Sequence, residues 1–387
     1  MNPQIDKVVA MGEALQRSGC PPYKVEKYTQ LYAEQRDIEV IVQATPTVVN
    51  YQFPQENNSV VMTRPKPRSI NLGLLANTIY KVNHADVIDP NDSKRYSWWI
   101  VALANMSIPA AYLMLVGSTL EATLIAFLMG LMVWGIQMLC REKRSIAVEF
   151  LSAFVTGIIV SWLASTGLPI PVWALCIASI VLFVPGLTIA NSLECLAFND
   201  LVSGTSLLGQ CALSLMQLFV GIAMGLNVGE YLWTVNYTTT YINEIPTWLH
   251  VFGLILISIS IGVVFNARLK DMMLSLPVAI LGMWGPLYIG SGWVVGTWAT
   301  TVLITFYGTW IAKRTGLTGS IYILQGIIIL VPGSRVLVSA GQSAFEQSIL
   351  PIPSIGLSAL LMFSAIVAGQ VTAYALYSPK IDKSFLQ

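Results

Sequence analysis

Two apolar segments of this chain end at the same tripeptide, Val-Pro-Gly. The first break is Val184-Pro185-Gly186, and the second is Val331-Pro332-Gly333. Proline lacks the backbone N–H donor and glycine tolerates unusual φ and ψ angles, so each pair favours the end of a helix. A helix that ends at membrane depth leaves carbonyls without partners, and the next helix begins with N–H groups without partners. Those groups can bind an ammonium group and a carboxylate respectively, which predicts a binding site at the breaks.

Polar and charged side chains follow both breaks. Charges at membrane depth cost about 2.5–3.5 kcal/mol each on insertion scales, so they are usually paired or functional. We predict that the substrate is bound by Pro185, Gly186, Asn191, Glu194, Pro332, Gly333, Ser334 and Arg335. Burial can raise a carboxyl pKa toward neutrality, and the predicted carriers of a coupling proton are Glu194, Asp200 and Glu346. The competing interpretation is that these carboxylates are solvated at the membrane surface.

The distribution of charge indicates which elements must position these residues. Of 387 residues, 55% are hydrophobic and 11% are charged, whereas about 25% of a soluble domain is charged. Residues 1–95 hold 11 Lys or Arg and 10 Asp or Glu, and residues 96–387 hold 10 and 10 over three times the length. This contrast predicts a soluble head, residues 1–95, followed by a membrane body. The near-zero net charge gives no indication of nucleic-acid binding.

Ten apolar segments of the body predict membrane spans, which need about 20 residues with a range near 17–25. The predicted spans are 98–116, 122–140, 146–165, 168–184, 207–229, 248–265, 272–290, 293–312, 316–331 and 355–377. With the head placed in the cytoplasm, eleven of twelve Lys and Arg near span ends lie on that side, and only Arg335 lies outside. The bias predicts a multi-pass protein of the cell (inner) membrane with both termini cytoplasmic. Glu149, close to Arg144, is expected at the cytoplasmic interface.

The two breaks also suggest an internal repeat. Pro185 and Pro332 are 147 residues apart, and Thr166-Gly167 precedes span four as Thr315-Gly316 precedes span nine. Spans one to five, within residues 96–230, therefore correspond to spans six to ten, within residues 247–387. Because each half holds an odd number of spans, the second half is inverted relative to the first. Inverted repeats with interrupted helices are typical of secondary transporters, which bind substrate at the repeat interface.

The head has the pattern of a small α+β domain. Ile5, Val8 and Leu15 recur at helical spacing, Pro21-Pro22 can begin a second helix, and a further helix is predicted through Leu72 and Ile79. Residues 38–42, 48–53 and 59–63 have strand character. Five cysteines show no pairing or metal spacing, and the chain has only two histidines. We therefore predict neither a metal site nor a cofactor, and a regulatory or folding role for the head rather than catalysis.

The residues resemble those of the threonine/serine exporter family. The head is similar in Gly19-Cys20-Pro21-Pro22-Tyr23-Lys24-Val25-Glu26. The body is similar in residues 184–188 with Glu194, in residues 201–205, and in residues 331–334 of the second half. The resemblance covers nearly the whole chain, as a single-chain form with both membrane halves. It implies export of threonine and serine from the cytoplasm, driven by the proton-motive force.

The predicted protein is thus an α-helical, ten-span secondary transporter with a cytoplasmic α+β head. Its partners would be a small amino acid, protons and the lipid bilayer, and self-association into a homo-oligomer is left open. Two other functions are compatible with the sequence. The first is a passive channel for small solutes, which requires a continuous polar lining. The second is a membrane-anchored enzyme or sensor that uses the head.

Overall fold

Residues 3–64 and 70–84 form a helical layer packed on a small sheet. A computed structural model describes residues 3–64, 70–84, 95–140, 145–168, 170–233, 245–289, 292–330 and 352–377. The head consists of α1 (Pro3–Arg17), α2 (Pro22–Glu34), β1 (Ile41–Ala44), β2 (Val49–Phe53), β3 (Ser59–Thr63) and α3 (Leu72–Asn83). The predicted helices and strands of the head are confirmed. The first strand begins at Ile41 rather than at residue 38.

The sheet is an antiparallel meander in the order β1-β2-β3. Its register pairs Val42 with Tyr51 and Tyr51 with Val61. Residues two apart on a strand share a face, so Val49, Tyr51 and Phe53 all point into the core, where each is at most 1% exposed. Helix α3 begins at Asn71, whose side chain accepts a hydrogen bond from the backbone N–H of Leu74 at 2.9 Å. Side-chain capping of this kind satisfies one of the unpaired donors of the first turn.

The rest of the described chain is helical. The helices are α4 (Trp98–Val116), α5 (Leu120–Leu139), α6 (Ser145–Ser165), α7 (Val172–Ile180), α8 (Gly186–Ala197), α9 (Leu201–Trp233), α10 (Thr247–Val264), α11 (Leu269–Tyr288), α12 (Trp293–Thr315), α13 (Ser320–Leu330) and α14 (Ile352–Leu376). Each predicted span overlaps one of these helices. In the part of the chain that the structure describes, five helices are long and apolar enough to cross a membrane, or six if the bent pair α7–α8 is counted as one span. The protein is therefore a multi-pass membrane protein, while the count of ten spans and the inverted repeat stay predictions.

Small residues let the membrane helices approach closely. Helices α6 and α9 pack along a line of glycines, and a Cβ atom added to Gly225 would lie 2.3 Å from the carbonyl oxygen of Phe154 and 2.9 Å from the Cα of Gly157. No side chain fits at that crossing. Close contact between backbones is the usual way in which helices associate in lipid, where the hydrophobic effect does not drive them together.

The head is docked directly on the membrane helices. The backbone N–H groups of Leu72 and Gly73 donate to the carbonyls of Phe265 (2.9 Å) and Asn266 (3.0 Å) in the α10–α11 turn. The hydrophobic core of the head continues into Ile311 of α12 and Tyr322 of α13. The head and the membrane helices thus share one core. The predicted boundary at residue 95 separates parts of the sequence that are packed together.

Candidate functional site

The first Pro-Gly pair forms a break between two half-helices. Helix α7 tightens into a 3₁₀ turn at Val181–Phe183, and α8 begins again at Gly186 with its axis bent by 60°. Pro185 has no N–H to continue the helix, and the N–H of Gly186 donates to the carbonyl of Val184 at 2.7 Å. The first N–H groups of a helix have no partner within the helix, and they carry the positive end of its dipole. The start of α8 is therefore suited to a carboxylate.

A cavity of about 650 Å³ lies at this break. Residues 181–188 line it together with residues of α4, α6, α9, α10, α11 and α13. Helix α4 begins beside the docked head, where the Tyr96 hydroxyl donates to the Ala267 carbonyl at 2.9 Å, and it ends at Val116. Ile70 of the head and the second half of α4, from Ile108 to Val116, both line the cavity.

Most of the cavity wall is apolar, with a small number of polar groups. These groups belong to Tyr112, Glu149, Thr188, Gln210 and Ser214. Glu149 of α6 and Ser214 of α9 both line the cavity. A pocket with mostly apolar walls and a few convergent polar groups is the usual form of a small-molecule site. The carboxylate of Glu149 can bind an ammonium group, and the start of α8 lines the same cavity.

Glu149 is a residue whose role the sequence did not reveal. It is expected at the cytoplasmic interface because Arg144 is near in sequence. That depth stays a prediction, and the side chain of Glu149 lines the cavity. One signal could have identified it. Ion pairs along a helix join residues three or four apart, and the residues three and four before Glu149 are Ile146 and Ser145. The helix therefore places no cation of the preceding turn beside this carboxylate.

Asn191 and Glu194, later on α8, face the head rather than lining this cavity. Three side chains surround the Glu194 carboxylate. Its Oε1 accepts hydrogen bonds from the Tyr23 hydroxyl (2.7 Å), the Lys24 ammonium (2.7 Å) and the Tyr374 hydroxyl (3.4 Å). Lys24 and Glu194 form an ion pair whose side chains are 8% and 6% exposed. We call this cluster of Tyr23, Lys24, Glu194 and Tyr374 the junction.

The junction joins three parts of the chain. Tyr23 and Lys24 come from the first turn of α2, which Pro21-Pro22 positions, Glu194 comes from α8, and Tyr374 comes from α14. The ring of Phe198 covers it, at 5.0 Å from the Tyr23 ring and 5.4 Å from the Tyr374 ring. Asn191 supports the same interface by donating to the carbonyl of Gly19 at 3.2 Å. The buried ion pair favours this one docking of the head on α8, because either charge would be uncompensated without the other.

Asp200 lies at the start of α9. Its Oδ1 accepts a hydrogen bond from the backbone N–H of Ser203 at 3.1 Å, as an N-terminal capping residue does. Its charge also acts on Glu26 of the head. Burial raises the pKa of Glu26 to about 7. A hydrogen bond from the backbone N–H of Ala44 opposes this increase, and the charge of Asp200 adds to it. Glu26 thus titrates near neutrality two residues from Lys24.

The other predicted site residues lie outside the described residues. They are Pro332, Gly333, Ser334, Arg335 and Glu346, and their roles stay predictions. The described part of α13 nevertheless leads to the second break. Ile328 and Ile329 line the cavity, and Ile328 lies beside Gly186. The last residues before the second break therefore contact the first break.

The long apolar helices, the broken helix and the cavity define a multi-pass helical membrane protein with a docked α+β head. A family model described as "Putative threonine/serine exporter" (ThrE) matches residues 6–229, from α1 into the last turns of α9. The match covers more than half of the chain, and the chain belongs to this family. The matched region includes Lys24, Glu149, Pro185 and Glu194. No curated protein and no solved structure matches the chain.

Proposed function

We propose that this protein exports threonine and serine from the cytoplasm across the cell's inner membrane by proton antiport with alternating access. Membership of the exporter family supports the substrate class. The observation that carries the proposal is the cavity at the Pro185-Gly186 break, which is lined by both a carboxylate and the start of a helix. A zwitterionic amino acid has an ammonium group and a carboxylate that match these two features.

The substrate occupies the cavity in a defined orientation. Its carboxylate binds the N–H groups of Leu187 and Thr188 in the first turn of α8, and its ammonium group binds the Glu149 carboxylate. The side-chain hydroxyl of threonine or serine hydrogen bonds to the polar wall formed by Thr188, Gln210 and Ser214. In the second half, Pro332, Gly333, Ser334 and Arg335 complete the site from the opposite break.

Proton coupling is assigned to Glu194, with Asp200 and Glu346 as the other carriers. Protonation of Glu194 removes the negative charge that holds Lys24, so the head and α8 are released from each other. Deprotonation restores the pair. The binding cavity and the proton carrier are then linked by α8, because Gly186 begins this helix and Asn191 and Glu194 lie further along it.

Alternating access follows from two inverted five-helix repeats. Helix pairs that correspond under the proposed repeat pack together in both halves: α6 with α9 and α12 with α14, and also α6 with α7 and α12 with α13. Helices α4 and α10, the first of each half, pack against each other. This arrangement suits a rocking motion of one half against the other around a site at their interface.

The test is export of labelled threonine from loaded proteoliposomes, with and without a pH gradient. Wild-type protein should move threonine against its gradient when the pH gradient is present, and Glu149→Gln should transport more slowly at low threonine concentration. Equal rates for wild type and Glu194→Gln would exclude Glu194 as the coupling residue. Dissipation of the threonine gradient without uphill movement would instead favour a passive channel. Transport that survives removal of residues 1–90, together with loss of a soluble activity, would favour a membrane-anchored enzyme or sensor.

A further inference from the structure

A second cavity, of about 490 Å³, lies between the head and the membrane helices. Helices α2 and α3 form its wall on the head side, and α12, the α12–α13 turn and Tyr374 of α14 form the opposite wall. The walls are held together at the edge by Asn83, whose side-chain amide donates to the Gly316 carbonyl at 2.7 Å. This cavity is separate from the one at the Pro185-Gly186 break, and the proposed export mechanism does not use it.

Positive charge is concentrated in this cavity. Lys24, Lys27 and Lys313 line it, and the lining residues that the structure describes include no Asp or Glu. Lys24 is balanced by Glu194 within the junction. Lys27 and Lys313 add positive charge from opposite walls, and the Lys313 ammonium is held 3.7 Å from the centre of the Tyr377 ring. Cationic side chains thus line the cavity on both the head side and the membrane side.

Hydroxyl groups complete the lining. Tyr28 of α2 and Thr318 of the α12–α13 turn contribute hydroxyls from opposite walls, and the Thr318 hydroxyl lies 3.1 Å from that of Ser320. Hydroxyl donors and lysine ammonium groups together match a phosphate group, which offers several acceptor oxygens and negative charge. The volume is larger than a single phosphate ion needs, so it leaves room for an attached group.

We infer that this cavity binds a phosphate-bearing anion and that the bound anion fastens the head to the membrane helices. Its position favours this chemistry. Lys313 and Arg314 end a candidate membrane span, so the cavity lies at the level where the headgroups of lipids are found. Basic pockets between membrane helices bind anionic headgroups at this level. The same chemistry would accept a soluble organophosphate, and the experiment separates the two sources.

The test is thermal unfolding of the full-length purified protein. One arm titrates inorganic phosphate in detergent at constant ionic strength, with chloride as the comparison ion. The other arm compares nanodiscs of phosphatidylglycerol with nanodiscs of phosphatidylcholine. Wild type should melt at a higher temperature with phosphate or with phosphatidylglycerol, because a ligand that binds only the folded state stabilises it. A response to phosphate indicates a soluble anion, and a response to phosphatidylglycerol alone indicates a lipid.

The matched variants are Lys27→Gln with Lys313→Gln, and Lys270→Gln as an exposed control outside the cavity. Each lysine at a membrane surface contributes roughly fivefold in affinity for an anionic group. The double variant should therefore bind phosphate or phosphatidylglycerol about thirtyfold more weakly than wild type. Arginine at both positions should restore most of the binding. A wild-type protein that responds to neither phosphate nor phosphatidylglycerol would overturn the inference, as would an equal response of the double variant and Lys270→Gln. Because the readout is unfolding, failure of the export proposal would leave this result interpretable.

Discussion

Helix α8 contributes to two regions with opposite properties. At its start, Pro185 and Gly186 face a cavity with mostly apolar walls, in which Glu149 is reachable by a ligand. Further along, Glu194 is 5% exposed and accepts hydrogen bonds from three side chains. A ligand can enter the first region without breaking an ion pair, whereas in the second it would have to displace Lys24.

This difference separates substrate binding from proton coupling, two roles that sequence analysis assigned to one set of residues. Sequence analysis grouped Glu194 with Pro185 and Gly186 as a substrate site, because Glu194 closely follows the break that Pro185 and Gly186 form. In the structure, the break faces the cavity and Glu194 faces the head. Glu194 is therefore better suited to coupling than to substrate contact, and Glu149 to contact with the substrate ammonium. The following experiments test this division.

Breaking the junction should have the largest effect on stability. Lys24→Met leaves the Glu194 carboxylate buried without its counter-ion, which typically costs about 3–5 kcal/mol. The expected result is a lower melting temperature in detergent and faster proteolysis of the head. The double variant Lys24→Met with Glu194→Gln should recover much of the loss, because it removes the uncompensated charge.

Lys270→Met is the control for this prediction. Lys270 is exposed and is not among the side chains that contact Glu194. The control should retain nearly all of the stability. Equal destabilisation by Lys24→Met and Lys270→Met would show that the ion pair does not fasten the head.

Removing the cavity carboxylate should affect transport more than stability. A hydrogen bond to a charged group contributes about 1.5–3 kcal/mol, so Glu149→Gln should weaken substrate affinity roughly 10- to 100-fold. The measurement is the concentration dependence of threonine transport in proteoliposomes, with the melting temperature as a check on folding. Glu121→Gln, at an exposed carboxylate, should transport as wild type does. Unchanged affinity in Glu149→Gln would remove this residue from the binding site.

The break itself should tolerate a small side chain but not a large one. The atoms nearest to a Cβ on Gly186 would be those of Ile328, at 3.5 Å, which is ordinary van der Waals contact, and Gly186 is not among the glycines with positive φ. Gly186→Ala should therefore transport within about twofold of wild type, since one methyl group changes the free energy by less than ~1 kcal/mol. Gly186→Leu projects into the cavity and should reduce transport about tenfold or more. Equal transport by both variants would show that substrate does not pass this point.

The parts of the fold that depend on local sequence were predictable. The two kinds of periodicity marked the helices and strands of the head, because side chains repeat every 3.6 residues on a helix and every two on a strand. Pro185-Gly186 marked the break, since proline cannot continue a helix whatever surrounds it. These features are determined by neighbours in the sequence and need no knowledge of the tertiary structure.

The partners of Glu194 could not be predicted in the same way. Lys24 precedes it by 170 residues and belongs to a part of the chain that resembled a separate soluble domain. Composition divides the chain at residue 95, but Leu72 and Gly73 bond to the α10–α11 turn, so the division in charge density is not a division in packing. The orientation of Glu149 depends likewise on how α6 is rotated against α9, and a single sequence does not specify that rotation.

The smallest expected effect tests whether the pH dependence of stability at the contact between the head and α8 comes from Glu26 or from Glu194. Burial raises the pKa of Glu26 from 4.5 to about 7. The folded protein then holds this proton more tightly than the unfolded chain, so stability is greatest below pH 4.5 and falls as the pH rises toward 7. Glu26 is only half-buried, so solvent screening limits the change to on the order of 1 kcal/mol. Glu26→Gln should reduce the dependence of the melting temperature on pH between 4.5 and 7. Glu194→Gln should leave that pH dependence in place. A slope that persists in Glu26→Gln and disappears in Glu194→Gln would assign the titration to the buried pair, and would place proton binding at the contact between the head and α8.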